Sequence, residues 1–412
     1  MLHVRTVGHL TCPTGCAPFA GTTEKNRSSA PRERRNVVRI AVDAMGGDYA
    51  PRNIVEGALE AVRAVPEQLD IVFVGDSQAI KRELSKCDTS GLSATIAHAS
   101  QVVEMDDPPA ASILNKPDSS IVRAMDLVRD GEVDAVFSAG STGAATAAAW
   151  LKLKPLEGVE RPALATTLPN LIGAGVLLDA GANSDCRPKH LVQFAIMGSV
   201  FARDVLGIED PRVGLMNIGE ESTKGNDLTR EVFKLLETKN LNFIGNVEGR
   251  NVFDGTVDVI VCDGFVGNVI IKVSESLAYA LDKTFRDEIM KSPIRRFGAF
   301  LVKPAFRRLR KKVDYVEYGG APLLGINGVC VVGHGRSSPR AVANAIGVAA
   351  KFMHQNVNEH LVRAIHDADY TPSQLPHRLD RPGIRRRVAD RLSALKRSAQ
   401  ARKRRGKAFG GR

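Results

Sequence analysis

Short β-branched runs alternate with segments of helical periodicity through most of this 412-residue chain. The first run, residues 37–42, indicates a buried strand, and apolar residues then recur at helical spacing over residues 54–62. Further apolar runs fall at 71–76, 94–99, 135–140, 175–179, 212–219, 242–245 and 257–264. Because strands that alternate with helices usually pair in parallel, we predict an α/β fold with a mainly parallel sheet covered on both faces.

The turn at residues 43–51 joins the first predicted strand to the first predicted helix. Gly46 and Gly47 allow positive φ angles and a close approach to a ligand, and Pro51 suits the first turn of a helix. Such a turn directs several backbone N–H groups to one point, where they can bind an anion. A tight turn without a ligand explains the same residues, and the stretch is not a G-x-G-x-x-G dinucleotide fingerprint.

Composition and charge exclude some classes of protein. Hydrophobic residues make up 43% and charged residues 25%, as in ordinary globular proteins, and no uninterrupted apolar stretch is long enough to span a bilayer. The formal net charge is +11, but the basic residues concentrate at the two ends and leave the central part mildly acidic. This distribution argues against a nucleic-acid-binding core.

The cysteines and the two ends of the chain carry no strong motif. The six cysteines are scattered apart from Cys12 and Cys16, so we predict neither a zinc site nor a disulfide framework, and a reduced cytosolic setting. Residues 1–36 lack the apolar core of a secretory signal. We expect a disordered extension there, with a transit segment or an early start codon as alternatives, and a basic disordered tail over 367–412.

Residues 274–318 interrupt the alternation of strands and helices. A helix is predicted over 274–290, and the stretch 294–312 mixes bulky apolar and basic residues without an acid. Pro304 predicts that this stretch forms two short helices joined by a bend. A basic amphipathic segment suits an anionic lipid surface or an acidic protein partner, and packing against a dimer mate would explain the same pattern.

Four polar turns follow predicted strands, at residues 138–143, 179–183, 217–226 and 263–268. Ligands of such folds bind at the carboxyl ends of strands, so we expect all four turns to line one edge of the sheet. Their backbone amides, hydroxyls, Asn amides and single lysine suit the binding of oxyanions. No nucleophile has an evident base, because Ser141 lacks a partner and His98, His190 and His334 are dispersed. The spacing of the acidic residues does not indicate that they converge on a metal.

Eight motifs in order resemble the phosphate acyltransferase family, the acyl-carrier-protein:phosphate transacylases. They are Asp43-Ala-Met-Gly-Gly-Asp48, Ser138-Ala-Gly-Ser-Thr-Gly143, Arg161-Pro-Ala-Leu-Ala-Thr-Thr-Leu-Pro169, Gln193-Phe-Ala-Ile-Met-Gly-Ser199, Lys224-Gly-Asn226, Phe243-Ile-Gly-Asn-Val-Glu248, Asp263-Gly-Phe-Val-Gly-Asn268 and Tyr318-Gly-Gly320. The match runs from about residue 37 to about residue 362.

The resemblance implies a reaction and an architecture. Inorganic phosphate attacks the thioester of a fatty acyl group on acyl carrier protein, without a cofactor or metal. The acyl phosphate passes to a membrane-bound glycerol-3-phosphate acyltransferase for phospholipid synthesis. The implied fold is a Rossmann-like three-layer α/β/α domain related to phosphotransacetylases, spanning residues 37–366 with a helical protrusion at 274–318. The implied protein is a cytoplasmic homodimer that contacts the membrane peripherally.

The resemblance also implies roles for individual residues. Lys224 and Asn268 match the catalytic lysine and asparagine. The implied phosphate and substrate contacts are Asp43, Gly46, Gly47, Ser141, Thr142, Gly143, Asn183, Asn226 and Asp263. The implied membrane or carrier-protein contacts are Phe297, Phe300, Leu301, Arg307 and Arg308. The chain departs from the family in having Ser141 where Asn is common, and in keeping only Lys116 as a basic residue in the stretch 111–118.

Two other classes of protein fit parts of the pattern. A nicotinamide-dependent decarboxylating dehydrogenase of related fold would need an acidic metal cluster and an arginine set for a carboxylate substrate, and neither is present as a local motif. A non-catalytic scaffold on a membrane surface would use residues 294–312 and the tail. A scaffold predicts indifference to changes at Lys224 and Asn268.

Overall fold

An eleven-stranded sheet forms the centre of the protein in a computed structural model that describes residues 37–65, 69–90, 92, 94–313 and 319–368, with backbone only at 305–313. The expected disordered segment at 1–36 and all of the basic tail from residue 369 lie outside the described residues. The described residues belong to one compact unit.

The strands and helices alternate along most of the chain. The strands are β1 (Val38–Asp43), β2 (Leu69–Gly75), β3 (Ala94–His98), β4 (Ala135–Ser138), β5 (Ala163–Pro169), β6 (Ala174–Leu178), β7 (Val213–Met216), β8 (Phe243–Val247), β9 (Val259–Val261), β10 (Ala321–Leu324) and β11 (Val329–Val332). The helices are α1 (Arg52–Ala64), α2 (Ser77–Leu84), α3 (Pro109–Asn115), α4 (Ser120–Arg129), α5 (Thr142–Leu153), α6 (Pro188–Phe201, continued by a π-helical turn, Ala202–Leu206), α7 (Asp227–Leu236), α8 (Asn251–Asp254), α9 (Gly264–Met290), α10 (Pro293–Val313), α11 (Pro339–His354) and α12 (Val357–Asp367).

The sheet consists of two parallel halves that run in opposite directions. Its order is β3-β2-β1-β4-β11-β10-β5-β6-β9-β7-β8. The five strands from β3 to β11 are mutually parallel, and so are the four from β6 to β8. Between them, β10 is antiparallel to β11 and β5, and β5 is antiparallel to β6. The prediction of a mainly parallel α/β sheet is therefore confirmed.

The reversal of strand direction corrects the expectation of a single ligand-binding edge. We call the carboxyl ends of β1, β4 and β11 the first edge, and those of β6, β9, β7 and β8 the second edge. Three antiparallel pairings in succession separate the two halves. The strands of the two halves therefore point their carboxyl ends in opposite directions along the sheet. The turn 138–143 thus belongs to the first edge, and the turns 179–183, 217–226 and 263–268 belong to the second.

Small apolar side chains join the two halves of the sheet. Helix α5 buries four alanines, which lets it lie close to the strands. They belong to a hydrophobic cluster that also contains Ala180, from the second edge, and Ile271 of α9 packs against that cluster. A second, smaller cluster lies around Leu177, Met216 and Ile260, beneath the loops of the second edge. The two edges are therefore built on one continuous aliphatic interior.

Helices α9 and α10 differ from their predicted bounds. Helix α9 begins at Gly264 rather than at residue 274, and Asp263 caps it by accepting the N–H of Val266 at 2.8 Å. Helix α10 continues through Pro304, which corrects the prediction of two short helices. Proline removes a single helical hydrogen bond, and the exposed surroundings of residues 297–304 allow water to bind the released carbonyl.

The apolar side chains of α10 are exposed. Phe297, Phe300 and Leu301 lie on its surface, as do Leu277 and Phe285 on α9. Side chains beyond residue 304, including those of Arg307 and Arg308, lie outside the described residues. In the described part of the chain, no helix is both long enough and apolar enough to cross a membrane.

Candidate active site

Asp43 closes the first strand at the first edge, where it is buried. The hydroxyl of Ser138, at the end of the neighbouring strand, donates to Asp43 Oδ2 at 2.7 Å. Burial raises the pKa of Asp43, while hydrogen bonds from Ser120, Ser138 and backbone amides oppose that rise. A Cβ at Gly46 would lie only 2.7 Å from Asp43 Oδ2, so glycine is required for this close approach. Asp43 thus holds the loop after β1 and the loop after β4 together at this edge.

The start of α5 lies beside the Asp43 loop. Ser141 is the N-cap of α5, and its hydroxyl accepts the N–H of Ala144 at 3.5 Å. Gly47 has φ +108°, and a Cβ there would lie 3.0 Å from the carbonyl oxygen of Gly335. The structure therefore brings together six of the predicted phosphate and substrate contacts at the first edge, namely Asp43, Gly46, Gly47, Ser141, Thr142 and Gly143.

The loop after β11 also belongs to this edge, although no sequence motif predicted it. The N–H of Asp48 donates to the carbonyl of Gly335 at 2.8 Å, and Arg336 forms an ion pair with Asp48 at 3.5 Å. The β-branched run 329–332 before Gly333-His334-Gly335 is the signal that would have predicted it.

Asp179 organises the second edge. Its carboxylate accepts backbone N–H groups of Leu164, Gly181, Ala182 and Asn183, at distances between 2.7 and 3.2 Å. Burial raises its pKa, and these hydrogen bonds oppose the rise. The loop 179–183 is therefore held by hydrogen bonds to a carboxylate that is buried away from solvent.

The side-chain amide of Asn183 forms its hydrogen bonds within the protein. Its side-chain amide donates to the carbonyl of Pro162 at 2.7 Å and to Asp179 Oδ2 at 2.8 Å. Asn183 is also buried. The sequence predicted a phosphate contact at this residue. In the structure, the N–H groups of its amide already donate to protein oxygens.

The first turn of α9 lies directly on the loop 179–183. The N–H of Gly264 donates to the carbonyl of Asn183 at 2.7 Å, and a Cβ at Gly267 would overlap the carbonyl oxygen of Asp179. Asn268 follows on the exposed side of this turn, beside Gly181. Within the described residues, the Asn268 amide has no hydrogen-bond partner. It therefore remains available to a ligand.

Lys224 lies in the loop after β7, also at the second edge. Its N–H donates to the carbonyl of Glu221 at 3.0 Å, and its own carbonyl accepts from the Asn217 amide at 3.3 Å. The Lys224 side chain is exposed, and its ammonium group forms no ion pair with the residues that the structure describes. Asn226 caps α7 by accepting the N–H of Thr229 at 2.9 Å, so its oxygen is already in use.

The thiols and the histidine of the second edge are unsuited to nucleophilic or base catalysis. Burial raises the pKa of the Cys186 thiol to about 12 and that of Cys262 well above its ordinary value. Burial and the charge of Arg161 lower the pKa of His190 to about 4, and His190 lies 3.3 Å from Glu160. At neutral pH both thiols stay protonated and this imidazole stays neutral.

Metal ligation finds no support in the arrangement of acids. Across the described ranges, no three His, Cys, Asp or Glu side chains are grouped so that they could hold a metal ion. Asp43 and Asp179 lie at different edges, and each is engaged by protein hydrogen bonds. Lys224 and Asn268 bring an ammonium group and an amide to the second edge, and these donors suit an anion and a carbonyl oxygen.

Solved structures with a similar fold include phosphotransacetylases. A phosphotransacetylase from Streptococcus pyogenes aligns with a TM-score of 0.53 at 16% identity, covering 76% of this chain and 93% of that one. A branched-chain phosphotransacylase from Enterococcus faecalis aligns with a TM-score of 0.51 at 13% identity, covering 77% of this chain and 99% of that one. The predicted relation to the phosphotransacetylase fold is confirmed.

Sequence comparison then defines the family. A family model described as "Fatty acid synthesis protein" matches residues 38–360. The phosphate acyltransferase of Pelotomaculum thermopropionicum is 50% identical over 328 residues, which are 80% of this chain and 95% of that protein. That of Geobacter sulfurreducens is 50% identical over 324 residues, or 79% and 93%. The protein is an acyltransferase, and the chain belongs to the phosphate acyltransferase family.

Proposed function

We propose that this enzyme transfers a fatty acyl group from the thioester of acyl carrier protein to inorganic phosphate. The products are an acyl phosphate and the free thiol of the carrier protein. The acyl phosphate then serves a membrane-bound glycerol-3-phosphate acyltransferase in phosphatidic acid synthesis. Relatives named phosphate acyltransferases and the oxyanion-binding donors of the second edge support this proposal.

The reaction needs no nucleophile from the protein. A phosphate oxygen attacks the thioester carbonyl carbon, so that a C–O bond forms and a tetrahedral oxyanion develops. The C–S bond then breaks, and the departing sulfur takes a proton to give the carrier thiol. The raised pKa values of Cys186 and Cys262 support this direct route, because a protonated thiol is a poor nucleophile. The enzyme's contribution is to align two anionic reactants and to stabilise the oxyanion.

Lys224 is the group that binds and orients the phosphate. The observation that carries the proposal is its exposed ammonium group, unpaired among the described residues, in a loop held by hydrogen bonds at the second edge. A positive charge there offsets the repulsion between phosphate and the incoming substrate. Asn268, at the same edge, donates to the thioester carbonyl oxygen. Asp263 and Asn226 hold the first turns of α9 and α7 around these two residues.

Anion binding at the first edge is a separate proposal. The N-terminus of α5, capped by Ser141, lies beside the loop of Gly46 and Gly47, and a helix N-terminus favours the binding of an anion. A Ser141→Ala variant tests its contribution through the KM for phosphate.

Helix α10 is proposed to contact the membrane or the carrier protein. The exposed side chains of Phe297, Phe300 and Leu301 offer an apolar face, and the sequence adds basic residues including Arg307 and Arg308. Acyl carrier proteins are acidic, so the same bases also suit their docking. We propose a cytoplasmic homodimer that binds the membrane surface reversibly.

The proposed reaction is tested by incubating the full-length enzyme with palmitoyl-carrier protein, with and without inorganic phosphate. We expect release of free carrier thiol that depends on phosphate, together with an acyl phosphate that hydroxylamine traps as the hydroxamate. Intact-mass analysis without phosphate should show no acyl group on the enzyme. Thiol release at the same rate without phosphate, or a stable acyl-enzyme, would contradict the proposal.

A further inference from the structure

Asn246 lies on β8 beneath the loop that carries Lys224. It pairs with Leu215 of β7, and its side chain is only 6% exposed. The Asn246 amide donates to the carbonyl oxygen of Glu221 at 2.9 Å. That same carbonyl accepts the backbone N–H of Lys224 at 3.0 Å. One backbone oxygen therefore joins a buried strand residue to the turn that bears the lysine.

The other half of the Asn246 amide is unsatisfied. Its Oδ1 is buried, and no donor among the described residues reaches it. A buried acceptor without a donor destabilises a fold, and an apolar side chain of similar size would avoid that penalty. The stability of the strand therefore does not account for an amide at this position, whereas its donor bond to the Lys224 turn does.

We propose that Asn246 is a positioning residue, which holds the Lys224 turn on the sheet so that the ammonium group meets the phosphate. This inference rests on the proposed role of Lys224. The turn contains Gly219 and Gly225, and its neighbour Asn217 is only half-buried, so Asn246 is the buried side chain that anchors it. The role also accounts for the motif Phe243-Ile-Gly-Asn-Val-Glu248, to which the catalytic chemistry assigns no contact.

The test compares four variants in the phosphate-dependent thiol-release assay: Asn246→Asp, Asn246→Ala, Lys224→Ala and the double variant Asn246→Asp/Lys224→Ala. Aspartate keeps the shape of Asn246, removes the N–H donor and places a carboxylate against the Glu221 carbonyl. We expect kcat to fall about tenfold or more, with an unchanged KM for palmitoyl-carrier protein. The double variant should be no slower than Lys224→Ala alone, because both changes act through one group.

Asn358 supplies a matched control. Its amide donates to the carbonyls of Ile326 and Gly328, away from the second-edge loops, and its Oδ1 is also buried without a donor within the described residues. Asn358→Ala should lower the melting temperature and leave kcat unchanged.

Each outcome decides the inference. A normal kcat in folded Asn246→Asp or Asn246→Ala would overturn it, as would a double variant in which the two losses multiply. If Asn246→Asp does not fold, Asn246→Ala carries the same test. Full activity in Lys224→Ala would overturn the assignment of Lys224 and this inference with it, whereas a defective Lys224→Ala with normal Asn246 variants would overturn this inference alone.

Discussion

The carboxylate of Asp179 binds Asn183 twice, accepting its backbone N–H at 2.7 Å and its side-chain amide at 2.8 Å. Asn183 in turn accepts the N–H of Gly264, the first residue of α9. This chain of bonds links a buried charge to the helix turn that carries Asn268. The position of the proposed oxyanion donor is therefore set by a residue that need not touch the substrate.

Replacement of Asp179 by Asn should reduce both stability and rate. An amide in place of the carboxylate turns one acceptor into a donor that faces the N–H groups of Asn183, so we expect a loss of about 2–4 kcal/mol in unfolding free energy. Displacement of Asn268 should lower kcat by roughly 10²-fold. Asp258 is the control, because it binds Arg212 at the other end of β9. Urea unfolding and thiol-release kinetics should show Asp258→Asn to be destabilised yet normal in kcat.

Gly267→Ala should prevent the correct packing of α9 on its loop. The added Cβ would overlap the carbonyl oxygen of Asp179, and backbone atoms cannot move aside as a flexible side chain does. We expect a melting temperature lower by several degrees and little activity. Gly298→Ala on exposed α10 meets nothing within 4 Å and should be neutral or stabilising, by up to about 1 kcal/mol. Equal melting temperatures for the two variants would contradict this account of the glycine.

The buried Asp43 gives stability a distinctive pH dependence. Its pKa is raised above the ordinary 3.8 by burial, so the folded state binds the proton more tightly than the unfolded state. That contribution is complete below the ordinary pKa and is lost as pH rises through the folded pKa. The melting temperature of Asp43→Asn relative to the parent should therefore increase between about pH 4 and pH 8.

Asp118 serves as the control of opposite sign. Hydrogen bonds from Ser100 lower its pKa, so its ionised side chain stabilises the fold at pH values above the ordinary pKa. This stabilisation is lost as pH falls through the pKa of the folded state. The melting temperature of Asp118→Asn relative to the parent should decrease with rising pH. If the difference in melting temperature between Asp43→Asn and the parent does not change with pH, burial does not raise the pKa of this carboxyl group.

Phe297→Glu/Phe300→Glu should weaken membrane binding through α10. Both rings are exposed, and each would contribute the burial of a large apolar surface in the lipid interface. In a pelleting assay with anionic vesicles we expect at least about tenfold weaker binding, with normal turnover of a soluble substrate. Phe253→Glu, at an exposed phenylalanine elsewhere, should bind as the parent does. Pelleting of the double variant at the parental level would show that α10 does not meet the lipid.

Local patterns in the sequence were sufficient to predict most elements near their observed bounds. The run 37–42 is within one residue of β1, and the stretch 54–62, where apolar residues recur at helical spacing, lies within α1. These segments have strong hydrophobic periodicity, which is a local property. The start of α9 was misplaced, because Gly264 and Gly267 suggested a turn, whereas they serve the close approach of the helix to Asp179 and Asn183.

The arrangement of the site depended on contacts that no local pattern contains. The reversal of the second half of the sheet comes from the antiparallel strands β10 and β5, which are distant in sequence, and it places the turn 138–143 at the opposite edge from Lys224. The occupation of Asn183 by Asp179 and Pro162 is equally non-local. Sequence motifs therefore did not predict which of these residues lie together.

The most direct test of the catalytic assignment is the steady-state rate of phosphate-dependent thiol release by Lys224→Ala, measured beside Lys234→Ala. Lys234 is an exposed lysine on the neighbouring helix α7, and its loss controls for a change in surface charge. We predict that Lys224→Ala loses roughly 10²–10³-fold in kcat/KM for phosphate while its melting temperature stays at the parental value. Lys234→Ala should match the parent. Parental activity in a folded Lys224→Ala would contradict the claim that this ammonium group binds the attacking phosphate.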